Sequence, residues 1–471
     1  MLIFTTITNP IISLLTFFER GKICQKNFKI SLILAQRVLL KICANLIDSL
    51  VNFLFSPSFL EKHRKSAKDF TRKRKLPFHT LVCFFMNLIK GSYQHELDKF
   101  FQALTRSDIP QRIVSKAALC KARAKLKYEA FIELNRYLIE QFEHLFQPIT
   151  WHGLRLLAVD GSTFKLMKIK EIIEHFGVWK VKKGDPCPMA RVSQLFDTQN
   201  KVTISAVISP KSIGERLHAK ELFLDLMPND CVLLDRGYPA FWLFKIILMM
   251  DAQFCARIST KWKIIREFIN SGKKQKIVCL NPSSSSISAC NEIGVDLSPI
   301  SVRLIRVELD TGEVEVLITS LTDKSRYPFE IFADLYHRRW PVEEDYKTQK
   351  CFIEVECFTG KSVQSIYQDF HSKIFTKNLA SILAFPVNNK LKELGIKQKY
   401  VHQINFVQAL SKIKGAVVLL FQRTRTEILA MIKDLHLIFT QTTEPIRPGR
   451  KFPRKHKTQK RTFHINYKPV S

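Results

Sequence analysis

The chain has 471 residues, more than one ordinary domain holds, and 46% are hydrophobic, which excludes a disordered polymer. Lys and Arg number 74 against 42 acids, a formal net charge of +32. Such a cation repels itself unless it meets a polyanion, and with no apolar run of the roughly 18 residues a spanning helix needs, nucleic acid leads over a membrane.

The N-terminal run Met1–Lys22 is apolar but has no basic segment before its apolar part and no clear small-residue cleavage site. It reads as a core helix or strand rather than a signal peptide. The eleven Cys include no C-x-x-C pair, the closest being Cys351 and Cys357. That argues against a zinc ribbon or a disulfide framework and for reduced, buried thiols in a cytoplasmic protein.

Residues 1–148 read as a helical region, with long apolar-periodic stretches at Ile30–Leu54 and Ala130–Leu145. Two basic features punctuate it. Lys62–Lys75 holds eight Lys or Arg against Asp69 alone. Ser115–Lys127 follows a helix-capping Ser115, and helical spacing places Lys116, Arg123 and Lys127 near one face. That face either lies in a DNA groove or is simply solvated.

The pattern changes near Trp151. Short β-rich runs at Leu154–Val159, Val192–Phe196, Val202–Ile208 and Cys231–Leu234 are followed by a fifth at Gln253–Ile258. Helical stretches at Gly214–Leu226 and Pro239–Met250 separate the later ones, a mixed α/β order. Residues 259–327 read as an all-β insertion. They hold a polar loop at Ser283–Ser288 and two alternating runs, Val302–Glu308 and Glu313–Thr319, around a turn at Asp310–Gly312. Helical pattern resumes at Pro328 and continues to about residue 437. The tail Arg447–Arg461 carries eight Lys or Arg and no acid, a segment that touches phosphates or merely solubilises.

Three sites carry chemistry. In Leu-Ala-Val-Asp160-Gly-Ser an acid follows a β run, which is first of all a turn signature. Val-Leu-Leu-Asp235-Arg-Gly-Tyr238 repeats the arrangement, and acids at two neighbouring strand ends can converge. In Tyr336–Lys350, residues Arg339, Glu343 and Lys350 lie 3, 7 and 14 positions after Tyr336. On one helix they fall within roughly 60° of each other, so a single face carries a phenol, a guanidinium, a carboxylate and an ammonium. Pro341 interrupts that helix or kinks it. A solvated face could show the same pattern. Phosphodiester transfer, however, needs such a set: carboxylates for two Mg²⁺ ions about 3.5–4 Å apart, and basic groups for neighbouring phosphates.

The spacing Y-(2)-R-(3)-E-(6)-K of Tyr336, Arg339, Glu343 and Lys350 resembles the signature of DDE transposases of the bacterial insertion-sequence-four type. Asp160 in V-D-G-S and Asp235 in D-R-G-Y resemble that family's first two acids. The resemblance spans about residues 150–380. It implies an RNase H-like mixed-sheet catalytic core in 149–385, interrupted by the β insertion at 259–327. It implies Asp160, Asp235 and Glu343 as catalytic Mg²⁺ ligands, with Mn²⁺ able to substitute. Tyr336, Arg339 and Lys350 would contact DNA phosphates, with Lys116, Arg123 and Lys127 as further DNA-binding candidates. It implies double-stranded DNA as partner, both terminal inverted repeats and target, a homodimer in the DNA complex, and cut-and-paste transposition by strand cleavage and transfer in a bacterial cytoplasm. Residues 386–445 would form a helical, dimer-forming region and 446–471 a basic tail. Trp340 reads as a core aromatic. Where some relatives stack a flipped base on a Trp, this chain has Glu315, with Trp262 in the insertion the only nearby substitute. A catalytically inactive DNA-binding descendant, or a nuclease without strand transfer, is the alternative.

Overall fold

The structure is a computed structural model that describes residues 25–179, 186–308, 312–395 and 399–447. The run Met1–Lys22, the Asp310–Thr311 part of the hairpin turn and the tail beyond Arg447 lie outside the described residues.

The first described part is helical, as expected: α1 (Gln25–Leu54), α2 (Pro57–His63), α3 (Phe78–Met86), α4 (Tyr93–Thr105), α5 (Lys116–Arg123) and α6 (Glu129–Leu145). Local chemistry sets the starts. Ser56 accepts from the Phe59 amide with Pro57 at the first helical position, and Ser115 accepts from the Ala118 amide.

The middle of the chain runs β1 (Arg155–Lys165), α7 (Lys170–Phe176), β2 (Val178–Trp179), β3 (Cys187–Asp197), β4 (Val202–Ser209), α8 (Glu215–Leu222), β5 (Asp230–Leu234), α9 (Phe241–Met249) and β6 (Gln253–Ile258). Then come α10 (Lys263–Asn270), β7 (Gln275–Leu280), α11 (Ser284–Ile293), β8 (Ile300–Glu308) and β9 (Val314–Thr319). The chain finishes with α12 (Ile331–His337), α13 (Pro341–Lys347), α14 (Val363–Gly395), β10 (His402–Ile404), α15 (Phe406–Leu420), α16 (Arg425–Gln441) and β11 (Thr443–Pro445).

Strands β1 to β9 form one sheet in the order β2-β3-β1-β5-β6-β9-β8-β7, with β4 also on β3. β1, β3 and β4 pair antiparallel, while β5 and β6 continue from β1 in parallel. The five-strand unit β4-β3-β1-β5-β6 is the RNase H-like core. The insertion extends it: β9 pairs antiparallel with β6, and β8 and β7 follow. The insertion is therefore not all-β. Ile264, Ile265, Phe268 and Ile269 recur at helical spacing and build α10, whose Ile265 and Phe268 are buried. The serine run is a helix start: Ser283 accepts from the Ser286 amide and caps α11.

Period-2 alternation decides what each strand shows to each side. Leu157 and Val159 of β1, with Val232 and Leu234 of β5, join the core cluster under α8 and α9. Leu156 and Ala158, with Cys231 and Leu233, join the opposite cluster with Leu335 of α12, Val342 of α13 and Ile366 of α14. One further step along either strand on that second side reaches Asp160 and Asp235.

Helix α14 connects the two halves of the molecule. Its early residues Ile366, Phe370 and Ile374 pack in the sheet core. Its later residues Leu379, Leu383 and Val387 join a helical core with α1, α3, α6, α15 and α16. The expected boundary at 385/386 thus falls inside a helix, and residues 386–445 pack into the same core as the N-terminal helices. No single described helix is long and apolar enough to cross a membrane.

A buried polar network fastens α13 to this frame. Lys377 of α14 donates to both Asp345 carboxylate oxygens, at 2.7 and 2.6 Å, and to Thr203 Oγ1 of β4 at 2.7 Å. Gln194 of β3 and Gln349 also donate to Asp345, at 3.0 and 2.7 Å. Lys377 is fully buried. Removing one partner of such a pair strands the other charge. Lys377→Met is expected to lower unfolding free energy by about 3–5 kcal/mol, and adding Asp345→Asn to recover more than half of that. Urea titrations of the parent, single and double variants measure both effects.

Candidate active site

Asp160 sits within β1, not at its end. β1 runs on to Lys165 against β3, so the Asp-Gly pair makes no turn here. What ends is β5: the parallel register stops at Val159↔Leu234, and Asp235 is the next residue. The two acids therefore leave adjacent parallel strands one step beyond the last pair and on the same side. Parallel neighbours are about 4.8 Å apart, so the carboxylates feel one another.

The third acid arrives from a broken helix. The single helix expected from Tyr336 to Lys350 is two helices and a π turn. α12 ends at His337, Pro341 occupies the first position of α13, and Thr348–Phe352 is π-helical. A proline has no N–H to lose at a helix start, so Pro341 begins α13 rather than kinking a continuous helix. The four signature residues still gather. Tyr336 Oη donates to Asp235 Oδ1 at 3.3 Å. Arg339 Nη2 donates to Glu343 Oε1 at 2.6 Å, and its guanidinium lies 6.0 Å from the Tyr336 ring centre. Lys350 Nζ donates to Ser162 Oγ at 2.7 Å. Tyr346 Oη donates to the Asp160 carbonyl at 2.9 Å and ties α13 to β1.

The transposase DDE domain profile matches residues 151–354. The transposase InsG of insertion sequence element IS4 from Escherichia coli K12 is 24% identical over 399 residues, covering 81% of this chain and 86% of that protein. The chain belongs to the DDE transposases of the insertion-sequence-four type. A putative transposase InsZ of the same organism is 27% identical over 127 residues, 26% of this chain and 42% of that protein. Among solved structures, a cryo-EM piggyBac transposase synaptic complex with hairpin DNA matches at TM-score 0.41 and 9% identity, over 84% of this chain and 85% of that one.

Two arginines organise the charge of this transposase site. Arg257 on β6 donates to Asp235 Oδ1 at 2.8 Å and to Glu315 Oε1 at 2.5 Å. Glu315, in place of the stacking Trp of some relatives, is thus half of an ion pair. Trp262 is partly buried against the sheet core, which gives it no role as a stacking platform. Sequence pattern did not single out Arg257, though parity could have found it: it shares the β6 face of Cys255, which packs in the cluster beneath α12 and α13. Trp340 is 44% exposed beside the signature, so it is not the core aromatic expected.

Arg123 is also reassigned. α5 stops at Arg123, and residues 124–127 turn back so that the Lys127 amide donates to the His63 carbonyl at 2.9 Å. Arg123 points inward, 5% exposed, donating to Gln368, Ser365, Asp369, Thr359 and Tyr93. Its charge is spent on a buried ion pair, not on an outer face. Lys116 is exposed, and the Lys127 ammonium donates to the Lys62 carbonyl at 2.9 Å.

The donor chemistry fits a hard divalent cation: three carboxylates converge, and their mutual repulsion invites one. In this protein-only arrangement Arg339 holds Glu343 and Arg257 holds Asp235. Among the described residues no three His, Cys, Asp or Glu side chains stand together as a ready metal cluster. The arginines offset the negative charge that a cation would otherwise neutralise.

The two aspartates titrate in opposite directions. Burial pushes Asp160 up to about 6, helped by Glu343 and Asp235 and opposed by the Gly161 amide and Arg339. Burial also acts on Asp235, yet the Arg236 amide, Arg257 and Arg339 hold it below the usual carboxylate range. The raised Asp160 pKa means protonation favours the fold. That stability is fully present below about pH 3.8 and is lost as pH rises through about 6. Asp160→Asn is therefore expected to stabilise the metal-free protein by about 1–3 kcal/mol at pH 7.5, shrinking to about half at pH 5. Urea unfolding at the two pH values checks the sign; a loss of stability at pH 7.5 contradicts it.

Proposed function

We propose that the chain catalyses cut-and-paste transposition of an insertion sequence, by divalent-metal-dependent strand cleavage and strand transfer at terminal inverted repeats. The observation that carries this reading is the meeting of Asp160 and Asp235, one step beyond the last β1–β5 pair, with Glu343 on the helix that covers them. Asp160, Asp235 and Glu343 would hold Mg²⁺ or Mn²⁺. Two such cations supply the chemistry of activating the attacking oxygen and stabilising the leaving one.

The chain's own groups do the rest. Arg339 and Arg257 are each half-committed to a carboxylate and, once a cation takes over that charge, present guanidiniums that suit a bidentate phosphate contact. Tyr336, with its pKa raised by burial and by Asp235, keeps its proton and serves as a neutral donor beside the scissile phosphate. Lys350 is held toward the site by Ser162, and the π turn sets its aim. The exposed Lys65, Lys68 and Arg72–Lys75 lie on the segment that the Lys65–Lys125 backbone bond stitches to the Lys116–Lys127 region. One basic surface from both segments would track the phosphates of the element's end. The two ends would be held by a homodimer, with α15 and α16 a candidate contact surface, acting on DNA in a bacterial cytoplasm.

Intact acids favour an active enzyme over a silent descendant, and a gel assay on the element's own ends decides. Asp160→Asn, Asp235→Asn or Glu343→Gln is expected to lower strand cleavage by at least about 10³-fold in Mg²⁺ while end binding stays within about threefold. Full cleavage by any one of them removes that residue from the site. Lys350→Ala takes away a charge-assisted hydrogen bond to phosphate. It is expected to weaken assembly of the end complex by about tenfold without changing cation binding by the free protein.

A further inference from the structure

Beyond Val159 no strand lies on the β5 side of β1, so the stretch from Asp160 to Lys165 has an open edge there. Two side chains outside the family signature reach that edge. Glu215 opens α8 and packs against Gly161: a Cβ at Gly161 would stand 2.8 Å from the Glu215 carboxyl carbon and 3.0 Å from its Oε1. Only a glycine beside Asp160 leaves the carboxylate that close to the strand. Arg191, its nearest cation, is 3.9 Å away, too far for a good hydrogen bond.

Tyr238 supplies the second observation. Its amide donates to the Asp235 carbonyl at 3.0 Å, closing the turn that carries the acid. The residue is 3% exposed, and its hydroxyl has no hydrogen-bond partner among the described residues. A buried hydroxyl left unpaired is a standing cost that native folds rarely carry without a use. The charged groups around it say what the use is. Burial first, then Glu215, Asp160 and Asp235, push its pKa well above the ordinary value, so it keeps its proton and faces carboxylates as a donor. Tyr346, whose hydroxyl sits on the Asp160 carbonyl, feels the same Asp160, Tyr238 and Glu215.

We propose that Glu215 and Tyr238 complete a divalent-cation site with Asp160 and Asp235 at the open edge of β1, Glu215 as a fourth carboxylate and the Tyr238 hydroxyl as a donor that positions water around the hydrated cation. Magnesium keeps much of its water when bound by few carboxylates, so a site for it needs outer groups that hold that water. An acceptor-only carboxylate and an unused donor on opposite sides of Asp160 meet that need. The inference rests on the three-acid reading of the site.

The test is calorimetric titration of the full-length, DNA-free protein with MnCl₂, alongside thermal unfolding in chelator. Tyr238→Phe removes only the orphan hydroxyl, so its metal-free unfolding temperature is expected to equal or exceed the parent's. Its Mn²⁺ affinity is expected to fall about tenfold or more, and that of Glu215→Gln likewise. The Mn²⁺ concentration needed for half-maximal end cleavage should rise by the same factor in each. Parental Mn²⁺ affinity in both variants, with binding lost in Asp160→Asn, overturns this inference and leaves the three-acid reading standing. Parental affinity in Asp160→Asn as well brings down both.

Discussion

The geometry of the site depends on one buried ion pair. Asp345 stands two residues beyond Glu343, and Lys377 of α14 reaches it through the core with no exposure to solvent. A lysine and an aspartate so deeply placed cost several kcal/mol each to desolvate, and only tight mutual contact with every remaining hydrogen bond made offsets that cost. The contacts are made: Thr203, Gln194 and Gln349 take up the rest. Asn378 and Asn135 extend the network to α6. An apolar contact would tolerate α13 sliding by part of a turn. The paired charges do not, because any shift leaves one of them bare. The position of Glu343 relative to β1 is thereby set from behind, by groups that never face the site.

The front of the site is held differently. There the acids are opposed by Arg257 and Arg339, which are bound firmly enough to be part of the structure yet remain partly open to a ligand. Arg257 serves Asp235 and Glu315 at once, and the result is visible in the two aspartates. Asp235 has a guanidinium hydrogen-bonded to it and ionises readily. Asp160, equally near the other acids but with only the more distant field of Arg339, is pushed the other way. The asymmetry comes from which strand carries an arginine, not from any difference between the acids. It also explains how three carboxylates coexist in a protein-only state: an internal cation stands in for the external one.

Much of this was legible from residue pattern. The five core strands, their mixed order and the position of the insertion follow from β-rich runs and turn residues, and the acids follow from where those runs stop. What pattern misjudged has physical causes. Asp160-Gly161 reads as a turn because glycine usually means one. Here the glycine is needed for a close approach, by Glu215, inside a strand that continues. The Ser283–Ser288 run reads as a loop because serine competes with helical backbone, yet the first serine becomes a cap and the rest a first turn. Arg123 reads as part of an outer basic face because charge is normally solvated. Its partner Asp369 is 246 positions away, and no local window contains it. Arg257 could have been found, since alternation along β6 puts it on the face of the acids.

The Tyr-Arg-Glu-Lys spacing is the most instructive case, because the geometry inferred from it was wrong and the convergence was right. On a continuous helix the four side chains would share a stripe. In the fold the stripe is broken at Pro341 and again at the π turn. Each break moves the residues that follow. After the first, Glu343 lies in the opening turn of a new helix where Arg339 can grasp it from the preceding loop. After the second, the wider π turn carries Lys350 to Ser162 on β1 instead of continuing the α-helical stripe. The spacing is thus not a record of one helical face. It records distances along a segment whose interruptions are part of the design. The same four residues on an unbroken helix would point at one line in space, whereas here they reach Asp235, Glu343 and Ser162, three points around the same two strands.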